Sequence, residues 1–437
     1  MTKGRSRRVA AVLLAVAAGF AAAPAQAADT APVHGFVGAE VQPIAPGEAK
    51  ALGLGAPPGV FVRDVLSWGP AYAAGVRRGD VLAGFAGAGL QGLEHVVKLV
   101  QGTKPGQTVN ATVLRRGETV PLRFTLGTTP AGWSMAGEAA AVVPRFGLTL
   151  RSLTPTARTE AGVRWGSTGL LVTDVQPDGT GARMGLRPGD LIVAADRTPL
   201  VDAAKAESPL TAAALLLVEG TAGFRAVRTD GAPLPAPLVS AGAQYQPLLG
   251  QGLLVLDVAH DTPAARAGLR PGDLLAKVAG TPADTAERVA GVVQGTRLDG
   301  TPLHAEVPFT QVPPPPPESR HVQTIGATVA ALSADVLRQY EIRPSARGVA
   351  VTAVDPGSRA AAVGLRPGYV VVQVNQVPVT TPAELAAAMT AAEAVRTAEA
   401  VVLIEGPQGF RIHGMPLYGT AASNGTPTLQ WGAEPAR

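Results

Sequence analysis

The 437-residue chain contains no cysteine, which excludes disulfides, thiolate metal sites, c-type haem attachment and a cysteine nucleophile. Aromatic residues make up only 4% and charged residues 16%. One large core built on aromatic side chains is therefore out of reach, and so is a highly charged disordered chain. Long apolar runs are also missing beyond the N-terminal segment. The longest, Leu210 to Val218, falls well short of the roughly 20 residues of a membrane-spanning helix. What is plentiful is aliphatic side chain within an apolar fraction of 46%, punctuated by 52 Gly and 39 Pro. At roughly 100–150 residues per domain the length allows three to four domains. Small, turn-rich aliphatic modules fit this composition.

A formal charge of +4 points to a nucleic-acid partner only until its location is noticed. Lys3, Arg5, Arg7 and Arg8 open the chain, Val9 to Ala23 are almost wholly apolar, and Ala25-Gln26-Ala27 supplies a small-x-small cleavage pattern. Met1–Ala27 thus reads as a secretory signal peptide. Taking its four positive charges from the 37 basic residues leaves 33, equal to the 33 acidic ones, so no nucleic-acid partner is expected. The expected location is the periplasm of a Gram-negative bacterium or the exterior, with no transmembrane segment after cleavage.

One pattern recurs four times. Gly59-Val60-Phe61-Val62-Arg63-Asp64-Val65 leads to Gly75-Val76-Arg77-Arg78-Gly79-Asp80, and Gly169 to Val175 leads to Gly185-Leu186-Arg187-Pro188-Gly189-Asp190. Gly252 to Val258 leads to Gly268-Leu269-Arg270-Pro271-Gly272-Asp273, and Gly348 to Val354 to Gly364-Leu365-Arg366-Pro367-Gly368-Tyr369. The strand-opening and turn glycines are 20 residues apart every time, and the turn glycines recur at intervals of 110, 83 and 96. Those intervals are too long for a solenoid and make each copy a domain. Within a copy, the aliphatic run predicts a buried strand. Gly75, Gly185, Gly268 and Gly364 predict left-handed helix caps, and Pro-Gly a type II turn. Thr262 and Pro263 predict a capped helix start in the third copy. A second helix and a hairpin follow: Leu90 to Val100, then Thr108 to Leu114 and Val120 to Leu126, in the first copy. In the fourth they are Pro382 to Ala394, Ala400 to Glu405 and Phe410 to Met415. The third copy is short, because Gln244 to Gln251 leaves no room for a separate loop and first strand and Gly295 to Phe309 is compressed.

Signs of catalysis are missing. Gly166-Ser167-Thr168-Gly169 fails the nucleophile-elbow pattern. The six histidines (His34, His95, His260, His304, His321, His413) are scattered with no metal-ligand spacing, and most are expected on the surface. No dinucleotide or phosphate loop occurs, so neither a cofactor nor a metal is expected.

Strand, short helix, Gly-Leu-Arg-Pro-Gly-Asp, strand, helix and hairpin closely resemble the bacterial PDZ domain, in particular the PDZ regions of HtrA/Do-like serine proteases without the protease domain. The resemblance implies a mainly β fold with short helices (α+β). It would comprise four tandem PDZ-like, partly open β-barrels or sandwiches with two helices each. They are expected at 33–132, 140–242, 243–311 (short and degenerate) and 321–420, with a Pro-rich linker at 312–320 and a tail at 421–437. It further implies a peptide that adds a strand to a sheet edge, its carboxylate held by backbone N–H groups of a loop. By resemblance that loop is Phe36, Val37, Gly38 and Ala39 in the first copy, and Arg145, Phe146, Gly147 and Leu148 in the second. In the fourth it is Thr324, Ile325, Gly326 and Ala327. Leu93, Val96, Val97 and Val100, and in the fourth copy Leu385 and Met389, would form the facing wall, with His95 near the start of that helix. The function implied is non-enzymatic: a secreted protein that captures C-terminal or extended segments of envelope proteins. The alternative is an accessory or regulatory relative or partner of a periplasmic HtrA/Do-like endopeptidase.

Overall fold

The strand-opening glycines explain the fixed register of the repeats. Gly59, Gly169, Gly252 and Gly348 have φ of +80°, +132°, +126° and +136°. A Cβ on any of them would lie 2.0–2.8 Å from a carbonyl oxygen of the next strand, that of Leu82, Ile192, Leu275 or Val371. No side chain fits there. Twenty residues on, Gly79, Gly189, Gly272 and Gly368 have φ between +82° and +94°, as a type II turn needs. The turn aspartates then bind twice. Asp80, Asp190 and Asp273 accept from the N–H groups of Arg77, Arg187 and Arg270. They also pair with Arg115, Arg225 and Arg297 at 2.7, 2.6 and 3.1 Å. In the fourth module Tyr369 replaces the aspartate and lays its ring against Gly406.

The computed structural model describes residues 34–56, 59–130, 138–309 and 318–418. The segment Met1–Ala27 read above as a signal peptide, the Pro313–Pro317 run and the 421–437 tail lie outside the described residues. Among the described residues, no helix is long and apolar enough to cross a membrane.

Four antiparallel sheets form, one per repeat, and none closes into a barrel. The first has six strands: β1 (Ala39–Pro43), then Val60–Val65, Val81–Phe85, Thr108–Arg115 and Glu118–Thr125 in spatial order, with Ala88–Gly89 beside the third. Its second long helix is α1 (Leu93–Gln101). The other three sheets repeat this order with a seventh strand added at the outer edge. In the second module that strand is β2 (Ala140–Val143), paired with β3 (Leu148–Ser152), and the groove-side helix is α2 (Glu207–Ala212). In the third, β4 (Leu238–Ser240) pairs with β5 (Ala243–Leu248). In the fourth, β6 (Ser319–Val322) pairs with β7 (Ala327–Ala331), and the helix is α3 (Pro382–Ala394).

The two helices expected per repeat occur in modules 1, 2 and 4, joined by a further short one at Pro46–Ala51, Pro155–Glu160 and Ala334–Gln339. Module 3 departs from the expectation. It has one α-helix, Pro263–Arg266, capped by Thr262 as predicted, and only a 3₁₀ turn at Ala283–Thr285 where a second helix would stand. It does have a full first strand, β5, within the stretch judged too short. Its sheet starts at Leu238 rather than 243, because a two-residue turn (Ala241 φ +52°, Gly242 φ +79°) saves the loop that the other modules use.

Where the modules meet, the chain buries charge. Arg164 of module 2 pairs with Glu405 of module 4 at 2.7 Å, and Arg343 of module 4 pairs with Glu219 of module 2 at 2.6 Å. Arg78 of module 1 pairs with Asp64 at 2.6 Å and donates to His260 Nε2 of module 3 at 2.8 Å. The Phe410 ring lies between the Arg78 and Arg164 guanidiniums, at 3.8 and 4.8 Å. Burial pulls the Arg164 guanidinium towards deprotonation, but the Glu405 carboxylate overcomes it and holds Arg164 charged. Glu40, joined to Arg63, is raised above the ordinary carboxylate range by burial. Burial and nearby arginines lower His260 and His413 below the ordinary imidazole value, while His304 and His321 are exposed as expected of surface histidines.

Candidate functional site

Two backbone hydrogen bonds align the loops of the four modules. The N–H of Leu66 donates to Gly38 O, and that of Ala71 to Val37 O. The same pair recurs from Gln176 and Gly181 to Gly147 and Phe146, and from Asp355 and Ala360 to Gly326 and Ile325. In module 3 it runs from Ala259 and Ala264 to Gly242 and Ala241. Val37, Phe146, Ala241 and Ile325 are therefore one position. The glycine after it has φ of +74°, +65°, +79° and +67° respectively, a left-handed residue that turns the chain into the next strand. The loops expected at 36–39, 145–148 and 324–327 stand at one place in the fold. In module 3 the counterpart is Ser240-Ala241-Gly242-Ala243, upstream of the stretch where the sequence reading sought it.

In modules 2 and 4 the chain covers its own loop. β2 runs antiparallel to the outer edge of β3 and lies against α2. Val143 is wholly buried, in one apolar cluster with Phe146, Leu148 and Leu210. Its carbonyl accepts from the N–H groups of Phe146 and Gly147 at 3.1 and 3.0 Å. β6 does the same beside β7 and α3. Val322 is 3% exposed and clusters with Ile325, Ala327, Leu385 and Met389, while its carbonyl accepts from Ile325 and Gly326 at 3.2 and 3.0 Å.

Module 1 differs. β1 ends its sheet, so its outer edge is unpaired among the described residues. The chain ahead of it turns away: Phe36 exchanges both backbone bonds with Gly127, at 2.8 and 2.9 Å. Gly35 permits that path, since a Cβ would lie 2.6 Å from Leu126 Cδ1 and 2.7 Å from Thr103 Oγ1. The N–H groups of Val37 and Gly38 have no acceptor among the described residues. Val37 and Ala39 stay half-buried, whereas their counterparts Phe146 and Leu148, or Ile325 and Ala327, are fully buried. On α1, Leu93 and Val97 are half-buried, with Leu93 packed against the edge of the core. Val96 and Val100, expected in the same wall, belong to the core at 3% and 7% exposure.

Other expected side chains have different company. The Phe36 ring stacks on Trp68 at 6.2 Å and does not sit at the loop apex. Arg145 is exposed and lies over Phe146 at 5.1 Å. Thr324 offers its carbonyl to Arg359, which pairs with Glu393 at 2.6 Å. His95 is half-buried, with Nδ1 out of reach of any partner. Ser167 is buried and donates to Glu219 at 2.8 Å. Among the described residues no three His, Asp or Glu gather as a metal site would require.

Models of the PDZ domain match residues 35–126 and, with a second model, 254–298 and 350–401. The chain is 30% identical over 169 residues to a probable periplasmic serine endoprotease DegP-like of Bartonella henselae, covering 37% of this chain and 31% of that one. It is 33% identical over 173 residues to the like-named protein of Ectopseudomonas mendocina, covering 38% and 35%. The chain thus spans about a third of the length of these relatives. A solved HtrA-type protease AlgW with decapeptide is 34% identical over 22% of this chain and 30% of that one, with a TM-score of 0.21. With these matches beside four sheets of one plan, the chain carries PDZ domains in tandem and resembles the PDZ regions of HtrA/DegP-like serine proteases.

Proposed function

We propose that this is a secreted, periplasmic, non-enzymatic protein whose first module captures extended segments of envelope proteins, C-terminal ones above all. One observation carries the reading: the loop N–H groups of Val37 and Gly38 and the edge of β1 are free among the described residues, beside half-buried Val37, Ala39, Leu93 and Val97. A peptide added antiparallel to β1 would satisfy that edge, and its carboxylate would accept from the two N–H groups. The far end of β1 is tied down, since Gln42 Nε2 donates to Ile412 O of module 4 at 2.8 Å. The grip is therefore short, and the terminal carboxylate and last apolar side chain carry most of the affinity. Titrating the full chain with a library of peptides, each with a free or an amidated C-terminus, tests this. Amidation is expected to weaken binding at least tenfold, as is Val37→Asp, which sets a charge beside the carboxylate. Equal binding of both forms would sink carboxylate capture.

The names of the relatives support a second reading, in which the chain serves an HtrA/Do-like endopeptidase as an accessory protein. A pull-down from periplasm that enriches a protease over outer-membrane clients would favour it.

A further inference from the structure

We infer that β2 and β6 are built-in ligands of the second and fourth modules, so that the chain offers a single groove, that of module 1, to an external peptide. The closure of modules 2 and 4 rests on the loop equivalence, and the count of one open groove on the reading of module 1 proposed above.

β2 and β6 reproduce what strand addition requires. Each runs antiparallel to the strand that follows the loop, over four paired residues. The ladders continue one residue further, through the Ser152 N–H to Ala139 O and the Ala331 N–H to Glu318 O, each at 2.9 Å. Each carries a valine at the apolar pocket by the loop, 0% exposed for Val143 and 3% for Val322. Each also sets one carbonyl oxygen against the two loop N–H groups where a peptide would bring a carboxylate. The joining loops Pro144–Gly147 and Gln323–Gly326 hold only four residues. A tether this short gives the internal strand an effective concentration of about millimolar or above, and its ordering is already part of folding. A free peptide must displace it, so weak external ligands are excluded. Module 3 is closed in another way. Its two-residue turn has no room for an anion between strands, and Ser240 Oγ, rather than a helix, meets the Val289 backbone N–H at 3.0 Å.

The peptide Glu-Ala-Ala-Ala-Val-Val, the sequence of residues 138–143 with a free carboxylate, serves as the probe. Isothermal titration of the full chain is expected to give one equivalent. Val322→Arg, which drives a guanidinium into the apolar pocket and expels β6, is expected to raise that to two. A locked chain covers the case in which the fourth module of Val322→Arg fails to fold. The protein has no native cysteine, so His321→Cys with Thr328→Cys (side chains now 3.3 Å apart) and Val142→Cys with Thr149→Cys staple both hairpins cleanly. The locked chain should still bind one equivalent with unchanged affinity. Two or three equivalents for the unlocked chain, falling on locking, would overturn the inference, as would a folded Val322→Arg that still takes one. No binding to the parent chain but one equivalent on Val322→Arg would keep the built-in ligand and reject module 1 as the binding site.

Discussion

Val322 and His34 stand at one place in their modules, three residues before the apolar residue of the loop, and their surroundings are opposite. Val322 is buried, and its carbonyl takes both loop N–H groups. His34 is half-exposed, with Nδ1 2.9 Å from Gln101 O, and the chain after it crosses to Gly127. A valine is apolar enough for the pocket and β-branched enough for a strand; a histidine loses water on entering and gains no partner there. The same fold thus leaves its edge open or covers it according to the path of the chain ahead of the loop. Closure also changes what the wall residues do. Met389, beneath β6, is fully buried, whereas Leu93 and Val97 of α1 are only half-buried.

The contrast can be broken experimentally. Met389→Ala should cost about 2–5 kcal/mol of stability in chemical denaturation and leave peptide binding by module 1 intact, since Met389 is 0% exposed. Lost binding at unchanged stability would instead make module 4 the working groove. In module 3, burial pushes the Asp273 carboxyl up to about 6 despite Arg297 and Arg270. The folded form therefore holds a proton that the unfolded chain, with its ordinary carboxyl of 3.8, has released. This contribution to stability is complete below about pH 4 and is lost as the pH rises through 6. The stability of the protein relative to Asp273→Asn should fall by about 2–3 kcal/mol between pH 4 and pH 7. A flat difference would show Asp273 fully ionised in its pair with Arg297. The smallest effect sharpens the opening pair: Val322→Ala should cost about 1–2 kcal/mol, and His34→Ala no more than about 0.5. Equal costs would mean that His34, like Val322, fills a groove.

Much was legible beforehand. The loops at 36–39, 145–148 and 324–327 are equivalent positions, and α3 spans Pro382–Ala394 as the sequence reading expects. The hairpin turn after Thr108–Arg115 shrinks to Arg116-Gly117, both at positive φ, because right-handed strand twist favours that turn. The expectation failed for Val96 and Val100, since a helix facing both groove and core has one apolar stripe and sequence spacing does not divide it. It failed for module 3 because a two-residue turn carries no glycine-rich loop signature.

The amino-acid sequence by itself determined the modules: strand-opening glycines where a Cβ would strike a neighbouring carbonyl, each 20 residues ahead of a turn glycine, and turn aspartates and hairpins that depend on near neighbours. These are local steric demands, written in residue type. Tertiary structure alone decided which edges are occupied and how the modules join through Arg164–Glu405, Arg343–Glu219 and Arg78–His260. A strand edge offers the same N–H and C=O groups whatever its side chains, so nothing in the residue types of Ala140–Val143 or Ser319–Val322 names the partner strand. Only the path of the preceding chain, turned aside at Gly35 and folded back at Pro144 and Gln323, settles whether that partner is the protein itself.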